Sequence, residues 1–78
     1  MTDVARAESH FTAALAIARR QQAKSWELRA ATSYARLMRE QARVREAHEL
    51  LASVYGWFTE GFDTPDLKEA KGLLNELR

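Results

Sequence analysis

The residues of this chain that are capable of metal or acid–base chemistry are few and scattered. His10 and His48 are its only histidines, and neither has a second histidine or a carboxylate at ligand spacing on a shared helix face. Glu60, Asp63 and Asp66 form an acidic cluster, but their spacing does not match a calcium-binding loop. We therefore expect no metal ion and no other cofactor.

The sequence patterns that are typical of catalysis are also missing. The three glycines are isolated, and none is followed by the Lys-Ser or Lys-Thr pair of a phosphate-binding loop. No serine lies in the context of a nucleophile elbow, and the chain has no cysteine. The sequence predicts a protein that is not an enzyme.

A row of arginines is the one charged pattern that suggests recognition. We define the arginine strip as the cationic and hydroxyl side chains on one side of the second predicted helix: Arg29, Thr32, Ser33, Arg36, Arg39 and Arg43. Guanidinium groups bind carboxylates through charge-assisted, bidentate hydrogen bonds, so the strip could hold an acidic segment of a partner protein. The alternative is a solvated helix face on which Arg36 pairs with Glu40.

Charge and hydropathy limit the possible partners. The 78 residues contain 12 Lys and Arg against 11 Asp and Glu, so a net charge of +1 gives no overall attraction to nucleic acid or to an anionic membrane. The longest nonpolar run, residues 13–18, is far shorter than the roughly 20 residues that span a bilayer. The absence of cysteine and of a signal-type apolar segment favours a cytoplasmic protein.

Apolar residues recur at helical spacing in four segments of this single small domain. These segments predict helices over about 3–20, 25–41, 44–59 and 65–77. Ser25 is expected to cap the second helix, and Thr64 followed by Pro65 is a strong start signal for the fourth. The sequence therefore predicts an all-α fold of four antiparallel helices.

The second helix carries the widest apolar surface. At about 100° per residue, its apolar side chains from Trp26 to Met38 cover an arc of about 200°, twice the stripe of an ordinary surface helix. We therefore expect neighbours on two sides of this helix. The third helix is expected to extend its core face through Trp57 and Phe58, and the fourth is expected to act as a terminal lid.

The four segments also form an internal repeat. A shift of 40 residues places seven apolar positions of the first helix on apolar positions of the third, with Phe11 on Leu51. A shift of 39 residues relates the second helix to the fourth and places Ser25 on Thr64. Periods of this length are typical of stacked helical hairpins, so the first and third helices are predicted to be structural equivalents.

The order of the repeat leaves the first helix without a pairing helix of its own. Apolar surface around Ala13 and Ile17 is then expected to be open. This surface is a candidate contact for a homodimer or a larger assembly.

The small and large residues of the equivalent helices resemble the second helix of a tetratricopeptide repeat. The small–large–small pattern is formed by Ala7, Phe11 and Ala14, and again by Ala47, Leu51 and Val54. The resemblance implies stacked helical hairpins, with the last helix as a cap. It also implies that the first helix of each pair lines a peptide-binding groove, which would place the arginine strip in that groove.

A second resemblance covers most of the chain. The segments AIARRQQAKSWELRAATSYARL and LLASVYGWFTEGFDTPDLKEAKGLL are similar to the extreme C-terminus of certain large bacterial proteins. Those proteins carry a nucleotidyl-cyclase or regulator domain, an ATPase domain of the signalling type and a tetratricopeptide-like tail. The resemblance implies a fragment of a longer chain that serves in protein interaction or regulation, with catalysis elsewhere in the parent chain.

Three functions are compatible with these patterns. The leading hypothesis is a non-catalytic interaction or regulatory scaffold for a protein or peptide partner. The second is a small helix-turn-helix regulator of DNA, because Arg36, Arg39, Arg43 and Arg45 cluster around a short turn, although the balanced charge argues against it. The third is a helical bundle that acts only through self-association.

Overall fold

The computed structural model describes residues 3–58 and 64–77. In these residues the chain forms four helices and no strand: α1 (Asp3–Arg20), α2 (Lys24–Glu40), α3 (Val44–Tyr55) and α4 (Pro65–Glu76). The predicted all-α fold of helical hairpins is confirmed. The starts of α1, α3 and α4 agree with the sequence prediction, whereas α2 starts one residue earlier and α3 ends earlier.

Ser25 does not cap α2, contrary to the sequence prediction. The helix begins at Lys24, and Ala23 occupies the N-cap position without a side-chain hydrogen bond. The preceding turn sets this start, because the Ala23 N–H donates to the carbonyl of Ala18 over 2.8 Å. The chain therefore enters α2 directly from a hydrogen-bonded turn.

The turns α1–α2 and α2–α3 have the same backbone geometry. Each contains a non-glycine residue in the left-handed region, Gln22 with φ 56° and Ala42 with φ 62°. The N–H of the next residue reaches back five positions at 2.8 Å, to the carbonyl of Ala18 in one turn and of Met38 in the other. This is the Schellman arrangement, which usually has glycine at the left-handed position. The missing glycine explains why the second turn is poorly marked in the sequence.

α3 ends at Tyr55, before the predicted end near residue 59. Gly56 occupies the C-cap, and the N–H groups of Trp57 and Phe58 each donate to a carbonyl three residues back, at 3.2 and 3.1 Å. Glycine is a weak helix former, and these bonds tighten the chain into a turn. Trp57 therefore leaves the predicted core face and is 47% exposed, whereas Phe58 packs against the core.

The predicted start of α4 is confirmed. The Thr64 hydroxyl accepts a hydrogen bond from the Leu67 N–H over 3.3 Å. Pro65 lies in the first turn, where backbone N–H groups have no partner within the helix, so the N–H that proline lacks is not needed. The predicted acidic residues Glu60 and Asp63 lie outside the described residues.

α2 lies at the centre of the helix packing. Its backbone contacts α1, α3 and α4, and α3 also contacts α4. Among residues 3–58 and 64–77, no Cα of α1 comes within 8 Å of a Cα of α3 or α4. α2 therefore has three helical neighbours, although the part of its wide apolar arc around Trp26 stays exposed.

The core lies mainly between α2, α3 and α4. It consists of small and aliphatic side chains that are at most 6% exposed, among them Leu28, Ala31, Ala35, Met38, Ala47, Leu51, Val54, Leu67, Ala70, Leu73 and Leu77. Four of these residues are alanines with no exposed surface, and such small side chains allow packed helices to approach closely. Trp26, which the sequence assigned to the buried arc, is 67% exposed because it lies on the side of α2 that no described helix covers.

Candidate protein-binding surfaces

Three arginines of the arginine strip pair with carboxylates of α4 in this same chain. The ion pairs join Arg29 to Asp66 over 3.1 Å, Arg36 to Glu69, and Arg39 to Glu76. All three cations lie on the side of α2 that faces α4. The acidic partner that their spacing suggested is therefore supplied, at least in part, by the helix next to them.

The other members of the strip do not extend this row. Thr32 is buried, and its hydroxyl donates to the Leu28 carbonyl over 2.8 Å. It forms the floor of a small cavity of about 220 Å³ that Arg29, Ser33 and Arg36 line together with Asp66 and Glu69 of α4. Ser33 is exposed beside the row. Arg43 lies in the turn after α2 and faces α1 and α3, because α2 ends at Glu40. Four of the six predicted residues thus line one cavity, whereas Arg39 and Arg43 lie outside it.

Arg43 links the two helices that do not touch through their backbones. Its Nε and Nη2 donate to Oε2 of Glu46 in α3 over 3.1 and 2.6 Å, and its Nη1 donates to Glu8 in α1. The hydrogen bonds to Glu46 and then to Glu8 raise the pKa of the Arg43 guanidinium above its usual value. In return, the hydrogen bonds and the positive charge of Arg43 lower the pKa of the Glu46 carboxyl. Arg43 is therefore a structural link between α1 and α3.

An apolar groove of about 490 Å³ runs between α1 and α2. We define the α1–α2 groove by six of its lining residues: Phe11, Ala14, Ile17, Trp26, Ala30 and Ser33. Ile17 is 52% exposed and Trp26 is 67% exposed, so these two apolar side chains of the groove are open to contact. Cavities of this size and apolar lining are typical of binding sites.

The groove is open because, among the described helices, α1 packs its backbone only against α2. Ala13 and Ile17 are exposed, as the repeat order predicted. Trp26 and Phe11 were not predicted as part of this surface. The internal repeat could have indicated them. α1 and α3 are equivalent in sequence, but among the described helices α1 has one neighbour and α3 has two, so apolar positions that are buried in α3 stay open in α1.

Aromatic contacts hold the side chains of the groove in place. The ring of Phe11 stacks on Tyr34 with 5.6 Å between centroids. The guanidinium carbon of Arg29 lies 5.6 Å from the centre of the Trp26 ring, and Arg29 is itself held by Asp66. The Trp26 ring thus contacts a guanidinium that is itself ion-paired, and this contact favours one orientation of the ring.

A second, more polar cavity of about 530 Å³ lies at the α1–α2 turn and reaches Trp57. Here Arg19 Nε donates to Oε2 of Glu27 over 2.8 Å, and Lys24 Nζ lies 5.4 Å from the centre of the Trp57 ring. Glu27 is only 1% exposed. Glu27 lies in the first turn of α2, where an acid complements the positive helix end, and it also joins α2 to α1.

The described residues contain neither a cluster of metal-ligating side chains nor a membrane-spanning helix. No three His, Asp or Glu side chains within them lie together as a metal site. None of the helices in this part of the chain is both long and apolar enough to cross a membrane. Comparison of the chain with family models, with curated proteins and with solved structures found no significant match.

Proposed function

We propose that this chain is a non-catalytic protein-interaction module that binds an amphipathic helix of a partner protein in the α1–α2 groove. The observation that carries the proposal is the exposure of Ile17 and Trp26, at 52% and 67%, in one apolar groove. Single exposed apolar residues are common, but a contiguous apolar groove marks a surface for contact. A groove between two helices suits a third helix, which presents apolar residues three and four positions apart.

The arginine strip is the weaker candidate for the binding surface. Arg29, Arg36 and Arg39 already pair with carboxylates of α4. An acidic partner would have to compete with these pairs, and its gain would be a difference between similar, exposed interactions. The α1–α2 groove requires no such exchange, because no described residue fills it.

The DNA-binding alternative receives little support from the charges. The cationic cluster around the α2–α3 turn is balanced by carboxylates of the chain: Arg36 by Glu69, Arg39 by Glu76, Arg43 by Glu8 and Glu46, and Arg45 by Glu49. Binding to the phosphate backbone depends on cations that can replace condensed counterions. Neutralised arginines are poorly suited to this role.

The wider biological setting follows from the resemblance of the sequence. We place the module as a tetratricopeptide-like regulatory tail of a bacterial signalling protein that acts in the cytoplasm. The order of helix contacts, in which α2 packs on α1, α3 and α4, supports a stack of helical hairpins. In this setting the module recruits a partner, and catalysis belongs to other parts of the parent chain.

A selection with displayed helical peptides tests the proposed function. The bait is the full chain with Trp57→Phe, so that Trp26 is the only fluorescent tryptophan. We expect the selected peptides to shift the Trp26 emission to shorter wavelength and to lose binding to an Ile17→Glu chain. Val44→Glu, a substitution at a similarly exposed apolar residue at the start of α3, is the matched control and should bind normally. Binders that tolerate Ile17→Glu would contradict the proposal.

A further inference from the structure

The internal repeat relates the α1–α2 groove to a groove that is filled in the same structure. The shifts of 40 and 39 residues map α1 onto α3 and α2 onto α4. The α1–α2 groove therefore corresponds to the groove between α3 and α4, and α2 itself occupies that groove. Equivalent wall residues show the difference: Ala14 is exposed, whereas Val54 is 1% exposed.

The two grooves differ in the charge of one wall. In the α3–α4 groove, the α4 wall presents Glu69 and Glu76, and each pairs with an arginine of α2. Asp66, the third carboxylate of that wall, corresponds to Glu27, which is also acidic. Glu69 and Glu76 correspond to Ala30, which lines the α1–α2 groove, and to Leu37, which lies two turns further along the same face of α2; both are uncharged and half-buried. A guanidinium placed against these residues would lose water and gain no carboxylate.

We infer that the partner is a helix with the apolar pattern of α2, but with uncharged apolar side chains at the positions that correspond to Arg36 and Arg39. This inference rests on the proposed function and names the chemistry of its ligand. The pattern includes small residues at the positions of Ala31 and Ala35, since both are fully buried where α2 fills the equivalent groove.

A second copy of this chain is a poorer occupant. Stacking of copies head to tail would present the outer face of α4 to the groove. That face carries the exposed residues Lys68, Lys71 and Asn75. Their charges and polar groups do not complement Ala30 and Leu37, so the complementary helix comes from a different protein segment.

Two synthetic peptides test the predicted pattern. Both span residues 24–41, KSWELRAATSYARLMREQ, one with the native sequence and one with Arg36→Leu and Arg39→Leu. Arginine and leucine have similar helix propensities, so the peptides are matched in helix formation. Titration calorimetry with the full chain should show the leucine peptide binding about tenfold or more tightly, because two apolar side chains are buried and no cation is left unpaired. Equal affinities would overturn the inference.

A reciprocal change in the protein tests whether the leucine peptide binds more tightly only through non-specific hydrophobic association. Ala30→Glu with Leu37→Glu rebuilds the acidic wall of α4 in the α1–α2 groove. This chain should prefer the native arginine peptide, provided that its circular dichroism and thermal unfolding show an intact fold. If the double variant folds and still prefers the leucine peptide, the inference is wrong. Ala30→Glu alone provides a milder version of the same change.

The peptide selection and the peptide titration together distinguish a failure of this inference from a failure of the proposed function. Selected library peptides that depend on Ile17, combined with no preference for the leucine peptide, would retain the function and refute the partner pattern. Sedimentation of the chain alone tests the second copy. A micromolar dimer that Ile17→Glu dissociates would assign the groove to self-association and overturn the inference, whereas a monomer agrees with it.

Discussion

Arg19 of α1 donates a hydrogen bond from Nε to Oε2 of Glu27 in α2 over 2.8 Å, and Glu27 is 1% exposed. Because the carboxylate is buried and the guanidinium is half-exposed, removal of the cation leaves an acid with little access to water. We expect Arg19→Ala to lower the free energy of unfolding by about 1–3 kcal/mol. Urea denaturation measures this change. Arg19→Ala combined with Glu27→Leu should recover much of the loss, and an additive further loss would contradict the assignment.

The link from Arg43 to Glu46 predicts a specific dependence on pH. The pKa of Glu46 is lowered in the folded chain, so its contribution to stability is present above the ordinary pKa of 4.5 and is lost as the pH falls through the lower folded value. Arg43→Gln should therefore destabilise the chain at neutral pH, and the difference from wild type should shrink as the pH falls below 4.5. Urea denaturation at a series of pH values measures this. A difference that is constant with pH would contradict the link.

The left-handed turn residues predict two stabilising glycines. A non-glycine residue with positive φ costs roughly 1 kcal/mol relative to glycine, which adopts this conformation freely. Gln22→Gly and Ala42→Gly should each raise the free energy of unfolding by about 0.5–1 kcal/mol, as measured by denaturation. Ala42→Val, which places a β-branched residue at φ 62°, should destabilise the chain. A gain with valine would contradict the turn geometry.

Gly72 lies inside α4, and a Cβ built at this position meets no atom within 4 Å. Alanine should therefore gain helix propensity without a clash, and Gly72→Ala should raise the free energy of unfolding by about 0.5–1 kcal/mol. Gly56→Ala is the matched control, because its Cβ would lie 3.2 Å from the Ala52 carbonyl oxygen. Thermal unfolding should show a higher melting temperature only for Gly72→Ala. An equal rise for both variants would contradict this account.

The sequence predicted the number, order and approximate extent of the helices because its apolar spacing is regular. The cap at Thr64 was predicted correctly, because a hydroxyl residue followed by proline strongly favours the start of a helix. Ser25 offered a similar local signal, but the turn bond from Ala23 to Ala18 set the start of α2 instead. Local signals fail where the neighbouring turn already supplies the hydrogen bonds.

The candidate surfaces were less predictable, because they depend on which helices are neighbours. The arginine strip was located by spacing along α2, but the sequence did not show that Asp66, Glu69 and Glu76 of α4 would face it. Trp26 is an apolar residue of the kind that usually packs in a core, but it is exposed because no described helix covers that side of α2. Amphipathicity indicates that a face is apolar, but it does not determine which part of that face remains uncovered.

The most direct test of the central claim compares two variants with one ligand, the leucine-substituted peptide of residues 24–41. Ile17→Glu changes the α1–α2 groove, whereas Arg36→Ala with Arg39→Ala changes only members of the arginine strip that do not line the groove. We predict that calorimetry shows a loss of affinity of at least about tenfold for Ile17→Glu and a change of less than about threefold for the arginine pair. A loss confined to the arginine pair, with Ile17→Glu binding normally, would contradict the α1–α2 groove as the binding surface.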